Sequence, residues 1–543
     1  MKLLRRPLGG SRLVRDYLSG VGDAVAFYRA PPLAAESFVA KAREIGRLSA
    51  TERYAVASDV VRPVGPAARE LLERVIDRSG FFVTTGQQPG LFGGPLHSLY
   101  KALTAIRLAR ELRELLAHPV MPLFWIASDD HDWAEASRIH LVDRGGKLRK
   151  VSLGDSPTGV PRPLSRTPVG AAAHEAVAAV ARAFGPNDFR DGYIRSISEA
   201  YAPDATMAGA FGTFMAKLLG QTELGLIEAD DLRLKRASTP LLCAEADDPE
   251  ASERALEGSA RRLEESRYRL QVPQIPGASL LMVDLEEGRE RLQAVPGGFS
   301  LRRTRRTLSR RSLDTLIESS PEVVSPNVLL RPVVESYLFP NLAYVGGPGE
   351  LAYLGQLEGL FERHGTPRPI AFPRASLMVV EAKVERVLEV CGIGPDELRD
   401  ASATIGKLTR ARLPAEIVNA LARWRGAVEE QGAELADAVE SIDPTLAGAV
   451  ARALGTGVGA ADTLERKIAR AARRLDETTE ARIRRAHAHL WPLNRAQDRV
   501  LGPLQYLMLY GPTFVDRALE AISIDLNGPF REAPRWQGAT KGE

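Results

Sequence analysis

The chain has 543 residues, 44% hydrophobic and 26% charged, and its 72 basic and 69 acidic side chains leave a formal net charge of +3. That is about three to four domain lengths with ample apolar material for a core, and the near balance of charge excludes a field that would draw the chain to nucleic acid or membrane. Only Cys243 and Cys391 occur, which excludes a disulfide framework and a zinc ribbon, and no apolar run reaches the ~18 residues of a membrane span.

Residues 1–80 read as a helical lead-in broken by Pro31, Pro32 and Pro63. Met1 to Gly10 is basic but lacks the apolar stretch of a signal peptide, so a cytoplasmic protein is expected. Phe81 to Thr85 is a β-type run ended by Gly86, and a glycine- and proline-rich loop follows to Pro95. Leu99, Ala102, Ile106, Ala109, Leu112 and Leu116 then recur at helical spacing, and Leu123 to Ala127 is a second apolar run. Strand, loop, helix and strand over about 50 residues make a βαβ unit, which implies a parallel sheet faced by helices. Ligands of such sheets sit beyond the carboxyl ends of the strands, where the loops 86–95 and 128–132 both fall.

In the first loop, glycines admit a ligand to the backbone, and the helix start favours an anion. Gly86, Gln87 and Gln88 are candidates there, the glutamines suiting hydroxyls and carboxylates. His97, Tyr100 and Lys101 lie on the helix that follows; a lysine so near a helix start opposes the dipole and asks for an anion. In the second loop Asp129, Asp130, His131 and Asp132 crowd three carboxylates around one imidazole. The crowding is expected to raise their pKa values, that of His131 included, and suits a base, an amine site or a divalent ion.

Residues 145–320 are mixed, with Leu280 to Leu285 as a strand and six arginines between Arg302 and Arg311 that read as a solvated, partly paired face. A further strand-like run, Leu342 to Val345, ends in Gly346-Gly347-Pro348-Gly349-Glu350. Arg331 is placed to grip a carboxylate or phosphate, and Glu350 to receive an amine. In the last third, Ile417, Leu421, Trp424, Val428, Gln431, Leu435, Ala438 and Ile442 step by four and three. Asp462 is expected to cap a second helix carrying Leu464, Ile468, Ala471 and Leu475, the two forming an antiparallel coiled-coil hairpin.

Thr85 to Pro95, Tyr100-Lys101, Trp125 to Asp132, Ser325 to Pro332 and Gly346 to Glu350 together resemble the bacillithiol biosynthesis cysteine-adding enzymes, over nearly the whole chain. Asp129 stands where that family usually has glutamate, and His97 where it has tyrosine. A fainter likeness places Gly94 to Tyr100 where class I aminoacyl-tRNA synthetases carry their His-Ile-Gly-His motif, although no Lys-Met-Ser-Lys-Ser loop follows near Pro373-Arg374. The resemblance implies an α/β fold with a Rossmann-like core related to nucleotidyltransferases, helical insertions and the coiled-coil hairpin. Its divisions are a lead-in over 1–80, a core over 81–375 with insertions at about 145–320, a coiled coil over 376–490, and a return to the core over 491–543.

The implied activity is a carbon–nitrogen ligase that adds L-cysteine to the amine of glucosaminyl-malate, making the low-molecular-weight thiol bacillithiol. Asp130, His131 and Asp132 are its catalytic candidates, with His131 or a neighbouring carboxylate as base. Gly86, Gln87, Gln88, His97, Tyr100, Lys101, Asp129, Arg331, Tyr344, Gly347 and Glu350 are its substrate-binding candidates. No metal is assigned; the cofactor is unspecified, with ATP or another nucleotide suited to activate the acyl group. The partners expected are the two small molecules and a second copy through the coiled coil, with neither membrane nor nucleic acid. The rival readings are an RNA-interacting synthetase relative and a non-catalytic coiled-coil scaffold.

Overall fold

A computed structural model describes residues 1–48, 51–475 and 477–526. They form two compact units, one made of residues 3–379 with 497–526, the other of 380–496 with 1–2.

The first unit is organised by a six-stranded sheet. In chain order its strands are β1 (Arg62–Pro63), β2 (Phe81–Gln87), β3 (Val120–Ile126) and β4 (Gly225–Glu228). After the five strands of another sheet, β5 (Ala278–Leu285), β6 (Gly288–Val295), β7 (Gly298–Leu301), β8 (Thr307–Ser309) and β9 (Val324–Pro326), come β10 (Asn341–Gly346) and β11 (Ile370–Pro373). The main sheet runs β11-β10-β2-β3-β4-β1. All its neighbours are parallel except β1, which pairs antiparallel at the edge. Proline is tolerated there because an edge strand can spare an N–H.

β3 is buried at every position and β2 at all but Gln87, which is why both read as continuous apolar runs instead of alternating ones. They join through α1 (Leu96–Leu116), which is buried on most of its faces. Chain order reverses between β2 and β10. This is the switch point of a doubly wound sheet, and the carboxyl ends of those two strands open a crevice there.

The segment expected to be mixed holds a five-stranded antiparallel sheet, β8-β7-β6-β5-β9, of which only β5 was legible. In β6 burial alternates along Gly288, Glu290 and Leu292, so a carboxylate occupies an inward position. Glu290 is satisfied there by the backbone N–H groups of Arg303 (2.6 Å) and Thr304 (3.1 Å). Within the arginine run, Arg303, Arg306 and Arg310 have carboxylate partners. Besides α1, three helices matter to the site: α2 (Leu232–Asp247), α3 (Arg331–Leu338) and α4 (Pro348–Leu354), the last of which leaves β10.

The second unit contains α5 (Ala415–Glu440) and α6 (Ala447–Leu475). Arg425 pairs with Asp462 at 2.7 Å and with Glu465. A Cβ on Gly457 would meet Val428, and one on Gly432 would meet Leu454. Partners therefore run in opposite directions along the two helices. The seam differs from the expected one. Leu421, Arg425, Val428, Gly432, Ala436 and Val439 are the inward positions, whereas Trp424, Leu435 and Ile442 are exposed. Leu421 and Val428 keep their expected places, but Arg425, Gly432, Ala436 and Val439 take those of Trp424, Gln431, Leu435 and Ala438, one position on, because small residues such as Gly432 and Ala436 let the helices approach closely. Asp462 caps nothing; α6 begins at Ala447, and Asp462 serves Arg425 from mid-helix.

Candidate active site at the sheet switch point

Lys101 lies on the second turn of α1, almost wholly buried, and its ammonium reaches back under the end of β2. It donates to the carbonyl of Gly86 at 2.6 Å and to Gln87 Oε1 at 2.8 Å, and it pairs with Glu350. Three acceptors saturate the three N–H bonds of an ammonium, so the charged form fits. The anion that this lysine demanded is Glu350 of the same chain. Gly86 has no room for a side chain, because a Cβ would lie 2.7 Å from the Trp125 carbonyl.

Glu350 is fixed by the turn at the end of β10. One oxygen accepts from the Gly347 N–H at 2.9 Å at the start of α4, and the other from Tyr344 Oη at 2.6 Å. Burial pushes its carboxyl up, but Lys101, Tyr344 and Gly347 together outweigh that and hold it below the ordinary value. Arg331 continues the network. Its guanidinium donates to Tyr344 Oη (3.1 Å) and to Glu335 (2.7 Å), and lies over the Tyr344 ring at 5.1 Å. Arg331 and Glu350 therefore satisfy groups of this chain, whereas a grip on a carboxylate and on an amine was expected of them.

Gln87 and Gln88 link this network to the acidic loop after β3. Gln87 binds Lys101, and Gln88 donates to the Asp132 carbonyl at 2.8 Å. Each of the three aspartates has a structural role. Asp130 accepts the backbone N–H groups of His131 (2.6 Å) and Asp132 (3.2 Å). Asp132 caps the short helix Trp133–Ala136. Asp129 faces Arg289 at 3.7 Å, with the buried Lys235 of α2 close enough to feel its charge.

His131 differs from expectation in its electrostatics. Its pKa is lowered, not raised: desolvation acts first and Arg289 second, and together they outweigh Asp130 and Asp132. Arg289 Nη1 lies 3.2 Å from His131 Nδ1, while Asp130 is 3.8 Å from that atom.

His97 sits apart from this loop, with Nδ1 at 3.2 Å from the Asp498 carbonyl. Burial, then Arg374 and Lys101, hold it well below its usual pKa. A carbonyl can only accept, so its proton is on Nδ1 and Nε2 keeps a lone pair. Tyr100 is fully buried, and its hydroxyl has no hydrogen-bond partner among the described residues. The glycine loop itself is closed from behind, because Tyr201 Oη donates to the Gly90 carbonyl (2.7 Å) and accepts from the Gly93 N–H (3.0 Å).

The structure thus gathers Gly86, Gln87, Lys101, Arg331, Tyr344, Gly347 and Glu350 in one network. Asp129 to Asp132 form a second, reached through Gln88, and His97 is tied to Asp498. Arg289, Lys235, Glu335, Arg374 and Asp498 were not singled out. Arg374, at the end of β11, forms a buried ion pair with Asp498 at 2.7 Å. A cation adjoining the carboxyl end of a core strand was the one signal for it.

Compared with known proteins, residues 3–375 match the family described as Bacillithiol biosynthesis BshC, N-terminal Rossmann-like domain. Residues 377–526 match its C-terminal coiled-coil domain. The chain belongs to the BshC family. Three relatives carry the name "Putative cysteine ligase BshC". That of Symbiobacterium thermophilum is 33% identical, over 81% of this chain and 82% of its own. That of Koribacter versatilis is 31% identical, over 94% and 95%, and that of Salinibacter ruber 30%, over 84% and 83%. BshC membership makes the chain an enzyme of a ligase family, with a Rossmann-like domain and a coiled-coil domain. No helix among the described residues is long and apolar enough to cross a membrane.

Proposed function

We propose that the switch-point crevice joins the carboxyl group of L-cysteine to the amine of glucosaminyl-malate. The observation that carries this reading is the pair of polar networks at adjoining strand ends, bridged by Gln87 and Gln88. Forming the amide makes a C–N bond, removes one amine proton and expels the activated carboxyl oxygen. A nucleoside triphosphate such as ATP supplies that activation as co-substrate, taking the oxygen away on its phosphoryl group. The doubly wound sheet, with cationic Lys101 and Arg374 near its switch point, supports a core related to nucleotidyltransferases. The loop of Asp130, His131 and Asp132 receives the amine and its proton. The reaction belongs in the cytoplasm, where thiols stay reduced.

The test is reconstitution with glucosaminyl-malate and L-cysteine, with and without ATP, read by mass spectrometry. Cysteinyl product only with ATP is expected, and its absence under every condition defeats the reading.

The antiparallel α5–α6 pair is, in this proposal, a coiled-coil hairpin that also pairs two copies. Trp424, Leu435 and Ile442 remain 42%, 54% and 78% exposed, a row of large apolar groups that favours a partner surface. W424S/I442D is expected to sediment as a monomer where the wild type is a dimer; a monomeric wild type removes the dimer.

A further inference from the structure

We propose that Arg289 fixes His131 as a hydrogen-bond donor, its Nε2–H serving a substrate oxygen, so that the ring is not the base. The inference rests on the ligase reading above for its substrate, but the lock itself stands on geometry. A guanidinium has five donors and no acceptor. Its Nη1 lies 3.2 Å from His131 Nδ1, so that nitrogen offers its lone pair, and the single proton of the neutral ring sits on Nε2.

The guanidinium is held in place on its other sides. Its Nη2 and Nε both donate to Ser325 Oγ, at 2.9 and 3.3 Å, and Nη2 faces Asp129 Oδ2 at 3.7 Å. The Arg289 backbone N–H binds the Pro161 carbonyl at 2.8 Å. The preceding Gly288 has φ +101°, and a Cβ there would stand 2.6 Å from that carbonyl. The arginine side chain is only 9% exposed, whereas that of His131 is 36% exposed. The insertion sheet thus delivers a fixed cation to the back of a ring whose front is open.

Neutrality of the ring agrees with its lowered pKa, set by desolvation and then by Arg289 against Asp130 and Asp132. A ring whose one lone pair is taken cannot accept the amine's proton. It can donate to a carboxylate or to the oxygen of the activated acyl group, where charge develops. The proton then goes to a carboxylate of the same loop. Arg289 is a positioning residue in this scheme.

The test is nitrogen-15 spectroscopy of the full chain with labelled histidine, the His131 signals among the eight histidines being assigned from His131→Asn. The wild type is expected to show the proton on Nε2 and a lone pair on Nδ1. Arg289→Met, or Ser325→Ala should the former not fold, is expected to mix the two forms, and Arg289→Lys to restore the first. A proton on Nδ1 in the wild type, or no change in either variant, overturns the proposal. In the reconstituted reaction His131→Gln, which donates but is no base, retains activity within about tenfold, while His131→Ala loses about a hundredfold or more. Equal losses overturn the donor role, whereas a wild type without turnover defeats the ligase reading and leaves the spectroscopic result standing.

Discussion

Replacing Lys101 with methionine is expected to cost about 3–5 kcal/mol of stability and to lower product formation by about a hundredfold or more. The stability loss follows from what remains. Without the ammonium, the Gly86 carbonyl and Gln87 Oε1 lose their donor, and Glu350 keeps only Tyr344 and Gly347. Breaking one partner of a buried pair leaves the other charge uncompensated, which costs more than the pair itself contributes. The activity loss has a separate cause. Lys101 fixes Gln87 at the end of β2, while the neighbouring Gln88 holds the backbone of Asp132, so one substitution loosens both networks. Urea unfolding and the reconstituted reaction measure the two effects. The double variant K101M/E350Q recovers much of the stability, because the stranded carboxylate is gone, but not the activity. A single variant as stable and as active as wild type would remove Lys101 from the site.

The parts of this molecule that were legible in sequence are those in which neighbours in the chain are neighbours in space. Phe81 to Asp132 forms β2, α1, β3 and both polar loops in one stretch, and apolar runs ended by a glycine or by an acidic cluster declare them. The Lys101 question was legible too, since a cation near a helix start needs a reason. Its answer was not, because Glu350 arrives 249 positions later, in the helix that follows a strand of the other half of the sheet. Arg289 reaches His131 across 158 positions. It stands in a strand whose inward face carries Glu290, so the alternation of apolar residues that announces a strand is broken there. The pKa of His131 went the wrong way for the same reason: sequence shows the adjacent aspartates but neither the burial nor the guanidinium that outweigh them. The coiled-coil seam was displaced because Gly432 and Ala436 look unremarkable beside Trp424 and Leu435, although close helix contact requires small residues.

Asp498→Ala is the second large effect, again about 3–5 kcal/mol. Arg374 and Asp498 are each only 3% exposed in their side chains and meet at 2.7 Å. Ser376 Oγ donates to the same carboxylate oxygen at 3.2 Å, and Arg374 also donates to the Ala375 carbonyl at 2.9 Å. Next to this pair, Gln497 accepts the Val379 N–H (2.7 Å) and donates to the Val379 carbonyl (3.0 Å), so a side chain takes the place of a pairing strand. Two consecutive residues thereby tie a segment more than a hundred positions downstream to the stretch Arg374–Val379 that follows the last core strand. Alanine at 498 leaves the guanidinium buried with one carbonyl and no counter-charge, and the penalty is that of an unpaired ion, not of one lost hydrogen bond. Replacing both partners, as in R374M/D498L, is expected to return most of the loss, since apolar groups of similar bulk fill a buried ion-pair site at little cost. The midpoint of urea unfolding decides between these outcomes. A D498A protein within about 0.5 kcal/mol of wild type would mean that water replaces the carboxylate, and that Arg374 is held by its backbone contacts alone.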